Sequence, residues 1–344
     1  MIVKKANFAV VLFLMLSVPF FVLIALPVLH GVRDFQFYMD SPTYHAAAEQ
    51  MDVGRSLITV SSNFLGPVLI IKALGGSYAL IYLFNVGLFL VTYLLVIRSF
   101  PVDRLRFVLL MCAAPLTFTS LFSVNKEIVA VFVSLLFAAS YAKNRPAWRW
   151  IAIGAAIFAR WQMVVALLIA AFLLGPLNPL RRHRLLTLLC LVAGISVVYP
   201  LLGLGLLEEV SAVADNRLDF GGSGLFPRFI QMQDHVGGYL VVFVPKAVHL
   251  FVGMIRRSDH LFEVEDVMNN TILWFQSVVQ MMVLSAMLFT RRLRLTSGLV
   301  YLAVLIAAVI TLSPIFSTRY LLPVYALFAV SLAMPRRAAP SESA

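Results

Sequence analysis

The first residues whose types and spacing could support chemistry lie in the segment FQFYMDSPTYHAAA, residues 35–48, directly after the first long apolar run. The segment contains one carboxylate, Asp40, with Tyr44 four residues later and Ala48 a further four residues on. Residues spaced by four share one face of a helix, so this spacing predicts a helix that presents Asp40 beside a tyrosine. We expect Asp40 to act chemically at the outer surface of a membrane.

The composition supports the membrane setting. The chain has 344 residues, of which 61% are hydrophobic and 12% charged, whereas soluble domains are about 45–50% apolar and about 25% charged. Long apolar runs without alternating ten-residue strands predict membrane-spanning helices. The net charge of +11 does not indicate a nucleic-acid partner, because the basic residues cluster in short segments between apolar runs. That arrangement is typical of an oriented helical membrane protein.

The apolar runs predict an all-α polytopic membrane protein with about ten spans and both termini in the cytoplasm. The predicted spans are Ala6–Leu29, Ser77–Ile97, Phe107–Phe122, Ile128–Ala142, Trp150–Ala159, Met163–Leu177, Leu185–Leu207, Asn270–Thr290, Gly298–Ser313 and Tyr320–Met334. In this topology the cytoplasmic segments hold 16 of the 27 Lys and Arg residues but only two of the 16 acids, as the positive-inside rule requires.

We predict that residues 1–344 form one integral membrane domain with two long outer loops. Residues 30–76 form the first loop, which holds the Asp40 segment and the short apolar stretch FLGPVLIIKALGG, predicted as an interfacial helix. Residues 208–269 form the second loop, which contains the apolar run Gly238–Ile255. We interpret that run as re-entrant or interfacial, because a single crossing there would turn every later basic loop outward.

The polar residues that stand out from the apolar background all reach the outer face in this topology. Ionisable groups at a membrane boundary cost roughly a few kcal/mol each, so they usually have a partner or a function. The candidate site residues are Asp40, Tyr44, His45, Glu127, Arg160, Arg256, Arg257, Arg319 and Tyr320.

Several of these candidates also have purely structural interpretations. Asp40 could cap the N-terminus of a helix, and Glu127 could sit favourably at the start of one. Arg160 interrupts a hydrophobic hairpin with no acid near it in sequence, so a structural partner across the bundle is an alternative. Arg319 and Tyr320 could be an interface anchor. The histidines show no metal-ligand spacing.

Three short patterns resemble the GT-C superfamily of membrane glycosyltransferases, which take sugars from polyprenyl-phosphate or polyprenyl-diphosphate donors. The stretch from Asp40 to Ala48 resembles the D-S-x-x-Y-x-x-x-A motif of the family's first outer loop. Glu127 in NKEIVAVFVSLLFAASYAKNR resembles an acid that opens a later span, and GAAIFAR, ending in Arg160, resembles a glycine-rich span with a functional arginine. The turn STRYLLP, residues 317–323, is similar to a late R-Y-x-x-P pattern.

The resemblance implies a reaction that needs a base for the acceptor hydroxyl and positive charge for the leaving phosphate. Asp40 is then the candidate base, positioned by Tyr44, and Glu127 orients an arginine or binds the acceptor. Arg160 and Arg319 are the candidates for the phosphate, with His45 and Tyr320 on the substrate. Arg256 and Arg257 are weaker candidates for a lipid head group. A divalent metal between Asp40, Glu127 and phosphate fits this chemistry, although no residue pattern requires one.

The resemblance covers residues 40–168 and the final turn, and alternatives stay open beyond it. The chain is also similar to polymerases that join lipid-linked repeat units of bacterial surface polysaccharides, and the NKE turn is part of that likeness. A non-enzymatic transporter of lipid or polysaccharide is the other class. Either enzyme would take a polyprenyl-linked donor and a glycan or lipid-linked acceptor at the periplasmic face of a bacterial inner membrane.

Overall fold

We describe the fold from a computed structural model, which describes residues 2–29, 40–50, 64–124, 126–176, 178–201, 225–253, 255, 267–313 and 318–335. Within these residues the structure is helical, and no strand is present, so the predicted all-helical class is confirmed. The helices are α1 (Ile2–Phe20, continuing through a π-helical segment, Phe21–Ala25, into Leu26–Leu29), α2 (Asp40–Gln50), α3 (Leu65–Ala73), α4 (Tyr78–Ser99), α5 (Arg104–Ala113), α6 (Pro115–Phe122), α7 (Glu127–Ala142), α8 (Pro146–Ala155), α9 (Trp161–Leu174), α10 (Arg184–Leu201), α11 (Leu225–Gln233), α12 (Gly238–Val252), α13 (Val267–Phe289), α14 (Gly298–Ile310) and α15 (Leu322–Ala333).

Four helical segments in the described part of the chain are long and apolar enough to cross a membrane. They are Phe8–Val28, Tyr78–Ser99, Arg184–Leu201 and Thr271–Phe289. The bent pair α5–α6 gives a fifth if its two helices form one span. Four of the other predicted spans correspond to shorter apolar helices, and the predicted span Trp150–Ala159 overlaps the ten-residue helix α8. The predicted total of ten is therefore not reached by helix length alone and stays a prediction.

The third predicted span, Phe107–Phe122, is not one straight helix, so the prediction of a single helix there was wrong. The structure divides it into α5 and α6, which meet at an angle of 78°. Pro115 is the first residue of α6 and lacks an N–H, and it pushes the residue before it out of helical geometry. Ala114 is accordingly extended, with φ −86° and ψ 108°. The Gln276 side chain accepts a hydrogen bond from Leu116 N at 3.2 Å, which satisfies a donor that the break leaves free.

The centre of the bundle consists of short helices surrounded by longer ones. Almost every residue of α7, α14 and α15 is buried, whereas α1 and α10 expose many large apolar side chains. The helices α7, α9, α14 and α15 have 16, 14, 13 and 12 residues. At 1.5 Å per residue they measure about 18–24 Å, less than the roughly 30 Å of a bilayer's hydrocarbon core.

Hydrogen bonds join several predicted cytoplasmic segments at one end of the bundle, which we call the basic end. Asp103 N donates to Ala333 O at 2.8 Å, and Arg292 Nη1 donates to Met334 O at 2.7 Å. Arg184 Nη1 donates to Leu295 O at 3.0 Å and to Thr296 O at 2.7 Å. Four of the basic segments therefore meet at this end. The opposite end, where α7 begins, is the site end.

Candidate functional site

Glu127 is the first residue of α7 and forms the centre of a buried charged cluster at the site end. Its side chain is almost completely buried. The Oε2 atom accepts a hydrogen bond from Lys126 N at 3.0 Å, and Oε1 lies 2.8 Å from Arg160 Nη2 in a salt bridge. A carboxylate at a helix N-terminus is favoured by the unpaired N–H groups there, so α7 itself helps to hold this charge in a dry environment.

Arg160 has an extended backbone and lies between a 3₁₀ turn, Ala156–Phe158, and the start of α9. Its guanidinium carbon is 4.0 Å from the centroid of the Tyr320 ring, so the guanidinium stacks on the tyrosine as well as pairing with Glu127. The Nε atom is buried and makes no hydrogen bond within the described part of the chain. An arginine has five N–H donors, and Arg160 is therefore held in place with donor capacity left over.

Arg319 and Tyr320 come from a 3₁₀ turn, Thr318–Leu321, that leads into α15. Arg319 Nε lies 3.9 Å from Glu127 Oε1, and Arg319 Nη2 donates to Tyr320 Oη at 3.2 Å. One carboxylate thus faces two guanidinium groups, and one aromatic ring contacts both. Residues from three distant parts of the chain meet here, and all four of them were candidates from the sequence.

A small cavity adjoins this cluster. Its lining residues are Arg160, Gln162, Ile310, Ser313 and Tyr320, and its volume of about 10 Å³ is close to the space of a single water molecule. The Oε1 atom of Gln162 is buried, and it forms no hydrogen bond with any described residue. Two of the lining residues, Arg160 and Gln162, therefore each have a buried polar atom without a hydrogen bond in the described part of the chain.

The helix α2 brings the Asp40 segment to the same end of the bundle. Tyr44 and Ala48 lie on the buried face of α2 and pack with Val124. The Tyr44 ring centroid is 5.4 Å from Lys126 Nζ, in a cation–π contact. Lys126 directly precedes Glu127, so α2 is anchored to the turn that carries the central carboxylate. Asp40 is the first residue of this helix, and its carboxylate lies outside the described side chains.

His45 faces the start of α4 instead of the charged cluster. Its ring centroid is 4.8 Å from that of Tyr78, and its Nε2 atom is buried without a hydrogen bond to the residues that the structure describes. Burial lowers the pKa of His45 below its ordinary value, and the charge of Glu49 opposes that shift only in part. The neutral imidazole is therefore favoured.

The helix α3, predicted to be interfacial, connects the Asp40 segment to the Arg160 turn. Phe64, which precedes α3, packs edge-on against Tyr44 with 5.0 Å between ring centroids. Gly66 lies so close to the backbone of Phe158 that a Cβ atom there would be 1.8 Å from the Phe158 carbonyl oxygen. Only glycine permits this approach, and Phe158 is two residues before Arg160. The helices α2 and α3 thus contact both turns that supply the ion pair.

Some predictions fall outside the described residues. Arg256 and Arg257 belong to this group. For metal binding, the described residues contain no group of three or more His, Cys, Asp or Glu side chains placed to hold an ion. Both Glu127 oxygens already accept bonds, from Arg160 and from Lys126 N.

Sequence reasoning missed a further buried cation, Lys246. It lies within α12, is completely buried, and donates from Nζ to Gln233 Oε1 at 2.6 Å. Gln233 Nε2 in turn donates to Leu312 O at 2.8 Å, next to Ser313 in the cavity wall. The available signal was a single lysine inside the apolar run VVFVPKAVHLFV, since a lysine is rarely buried unless it is paired.

These features define an all-helical protein with several helices able to span a membrane. A buried Glu–Arg cluster lies at the site end of its short central helices. No family model, no curated protein and no solved structure matches this chain. A functional proposal for this protein therefore depends on its residues and their geometry.

Proposed function

We propose that this protein is a membrane glycosyltransferase that moves a sugar from a polyprenyl-(di)phosphate donor to an acceptor hydroxyl. The supporting observation is the convergence of Glu127, Arg160, Arg319 and Tyr320 at one end of the bundle. These residues were selected from the sequence for sharing one membrane face, and they are in contact although α7, α9 and α15 are far apart in the chain.

The arginines suit the phosphate of the donor. Lys126, Glu127, Arg160 and Arg319 together contain three cations and one acid. Adding Asp40 still leaves an excess of one positive charge, which a phosphate would neutralise. A guanidinium matches phosphate oxygens with its planar fork. Arg160 lines the cavity, and its Nε atom makes no hydrogen bond to the described residues. Glu127 and the Tyr320 ring hold the plane of the Arg160 guanidinium, so less side-chain entropy is lost when the donor binds.

Asp40 is the proposed base. It begins α2, and Tyr44 lies four residues along, about 6 Å on a helix axis. In the reaction the Asp40 carboxylate takes the proton of an acceptor hydroxyl, and the oxygen attacks the anomeric carbon of the sugar. The bond from that carbon to the phosphate oxygen breaks, and its electron pair leaves with the phosphate. Arg160 and Arg319 stabilise the charge that develops there.

The membrane setting we propose is a bacterial inner membrane with ten spans, both termini in the cytoplasm and the site end toward the periplasm. The helices that supply Glu127, Arg160 and Tyr320 are shorter than the bilayer core. If the basic ends of these helices lie at one boundary of the hydrocarbon core, the cluster lies several ångströms inside the opposite boundary. A recessed site excludes water, and charge stabilisation is stronger where water is excluded.

One observation favours transport as the second candidate. Transporters often use broken helices and polar residues in the membrane interior. The bent pair α5–α6 and the buried Lys246 resemble those features. A repeat-unit polymerase would use the same donor chemistry as a single-sugar transferase, and the two differ only in their products.

The deciding experiment uses purified protein in liposomes with labelled polyprenyl-phosphate and polyprenyl-diphosphate sugars and a mixture of acceptors. One discrete product indicates a transferase, and a ladder of products indicates a polymerase. Movement of label across the bilayer without any new glycosidic bond would contradict the proposal and favour the transporter. Arg98→Gln, which changes an exposed arginine at the basic end, is the control variant and should retain full activity.

A further inference from the structure

An apolar groove runs between α9 and α10, at the opposite end of the bundle from Glu127. Its volume is about 520 Å³, within the roughly 300–1,000 Å³ of small-molecule sites. The lining residues are Leu168, Ile169, Phe172, Leu173, Asn178, Leu180, Thr187, Cys190 and Leu191. Most of these side chains are aliphatic or aromatic, and Leu168 and Phe172 are exposed on one wall.

Specific hydrogen bonds hold the loop at the basic end of the groove. Asn178 Nδ2 donates to Leu173 O at 2.9 Å, and Asn178 Oδ1 accepts from Leu180 N at 3.0 Å. Thr187 Oγ1 donates to Leu180 O at 3.0 Å. The loop between α9 and α10 is thereby tied to both helices at the point where the groove meets the basic end.

Arginines lie in the two loops at that end of the groove. Arg181 and Arg182 are exposed in the same loop, and the Arg184 bonds to Leu295 O and Thr296 O bring a second basic loop alongside. The second loop exposes Arg291 and Arg294. Residues 175–190 and 290–298 contain no aspartate or glutamate, so the concentration of positive charge is not neutralised within either loop.

We propose that this groove binds one anionic phospholipid, with an acyl chain along α9 and α10 and the phosphate head group against Arg181 and Arg182. The charge decides the occupant: an apolar channel fits any acyl chain, but arginines without nearby acids favour a head group with net negative charge. A zwitterionic phospholipid lacks that attraction. The site does not depend on the proposed reaction, because no residue of the Glu127 cluster takes part.

The test is native mass spectrometry of the purified protein, titrated separately with phosphatidylglycerol and phosphatidylethanolamine. We expect one phosphatidylglycerol to be retained in preference to phosphatidylethanolamine. The Arg181→Gln/Arg182→Gln variant should bind it about 30-fold more weakly, since each arginine near an anionic group contributes about 1 kcal/mol. The matched control is Arg98→Gln/Arg106→Gln, which removes two exposed arginines of another basic segment and should leave retention unchanged.

A second variant tests the groove itself. Cys190 is exposed and lines the groove, so Cys190→Trp should fill the channel without disturbing the buried core and should abolish retention. Unchanged retention in Cys190→Trp would overturn the proposal, as would equal losses in the two arginine pairs. Tighter binding of a polyprenyl phosphate than of phosphatidylglycerol would overturn the assignment to a phospholipid.

Discussion

Glu127 and Arg160 lie 33 residues apart in the chain and form a buried salt bridge, with 2.8 Å between Oε1 and Nη2. Lys126 and Arg319 also lie near Glu127, but the 2.8 Å contact with Arg160 exists only because α7 and the start of α9 meet. Burial makes Glu127 the critical partner, because its removal takes the salt-bridge partner from the buried charge of Arg160.

A double-mutant cycle separates the structural role of this pair from its proposed role in the reaction. Glu127→Gln alone should destabilise the protein by about 3–5 kcal/mol, because Arg160 keeps its charge without its partner. Glu127→Gln/Arg160→Gln should recover part of that loss, because the charge of Arg160 is removed together with its partner, although Arg319 still loses the carboxylate. Thermal unfolding measured in detergent gives the stabilities, and transfer assays give the activities.

The double variant should be stable but inactive, because the arginine that binds phosphate is gone. If the double variant is both stable and fully active, the pair is structural only. If stability is not recovered in the double variant, the two residues are not coupled as the 2.8 Å contact implies.

The stack of Arg160 on Tyr320 should contribute to donor binding. Tyr320→Leu removes the ring and is expected to weaken donor affinity by about 2- to 30-fold, the range of one cation–π contact. Tyr320→Phe is the matched control: it keeps the ring and loses only the hydrogen bond from Arg319 Nη2. Equilibrium binding of a labelled donor measures both. Equal losses in the two variants would show that the hydroxyl matters and the stacking does not.

Gly66 should be intolerant of any side chain. In Gly66→Ala the new Cβ would meet the Phe158 carbonyl at 1.8 Å, so α3 must move away from the turn that precedes Arg160. We expect lower thermal stability and slower transfer. Gly87→Ala in α4 is the control, because nothing lies within 4 Å of its Cβ position, and it should stabilise the helix by up to about 1 kcal/mol. Similar behaviour of the two variants would argue against the close contact.

Acid should loosen α2 through His45. Burial lowers the pKa of His45 in the folded protein, so as the pH falls through about 6.5 the unfolded segment takes up a proton first. The stability of the docked helix is therefore complete above that pH and decreases below it, until the folded pKa is passed. Hydrogen exchange of the α2 amides between about pH 7.5 and 5 measures the effect. The step should disappear in His45→Gln, and an identical step in that variant would assign it to another group.

The sequence was informative about which residues matter and where helices lie. The apolar run before Arg98 predicted a helix over residues 77–97, and the structure has α4 at Tyr78–Ser99, with Ser77 accepting from Leu80 N as its N-cap. Apolar periodicity and basic loops are local signals, so they are readable from one sequence. They also predicted that Glu127, Arg160 and Tyr320 share one end of the bundle, because span direction alternates.

Other features depend on contacts between distant segments and could not be read in this way. Nothing in the sequence pairs Glu127 with Arg160 in preference to Arg319, since that choice depends on how α7, α9 and α15 pack. Lys246 was passed over because a lone lysine in an apolar run has no visible partner, and Gln233 becomes its partner only through the turn between α11 and α12. The break at Pro115 was readable from the proline, and it was missed because the run around it is continuously apolar.

The most direct test of the proposed transfer reaction compares donor binding with sugar transfer in one set of purified variants. Asp40→Asn should bind the polyprenyl-linked donor with wild-type affinity and transfer its sugar at least about 100-fold more slowly, because the base is lost and the phosphate site remains. Glu127→Gln/Arg160→Gln should lose donor binding. Transfer by Asp40→Asn at the wild-type rate would contradict the assignment of Asp40 as the base.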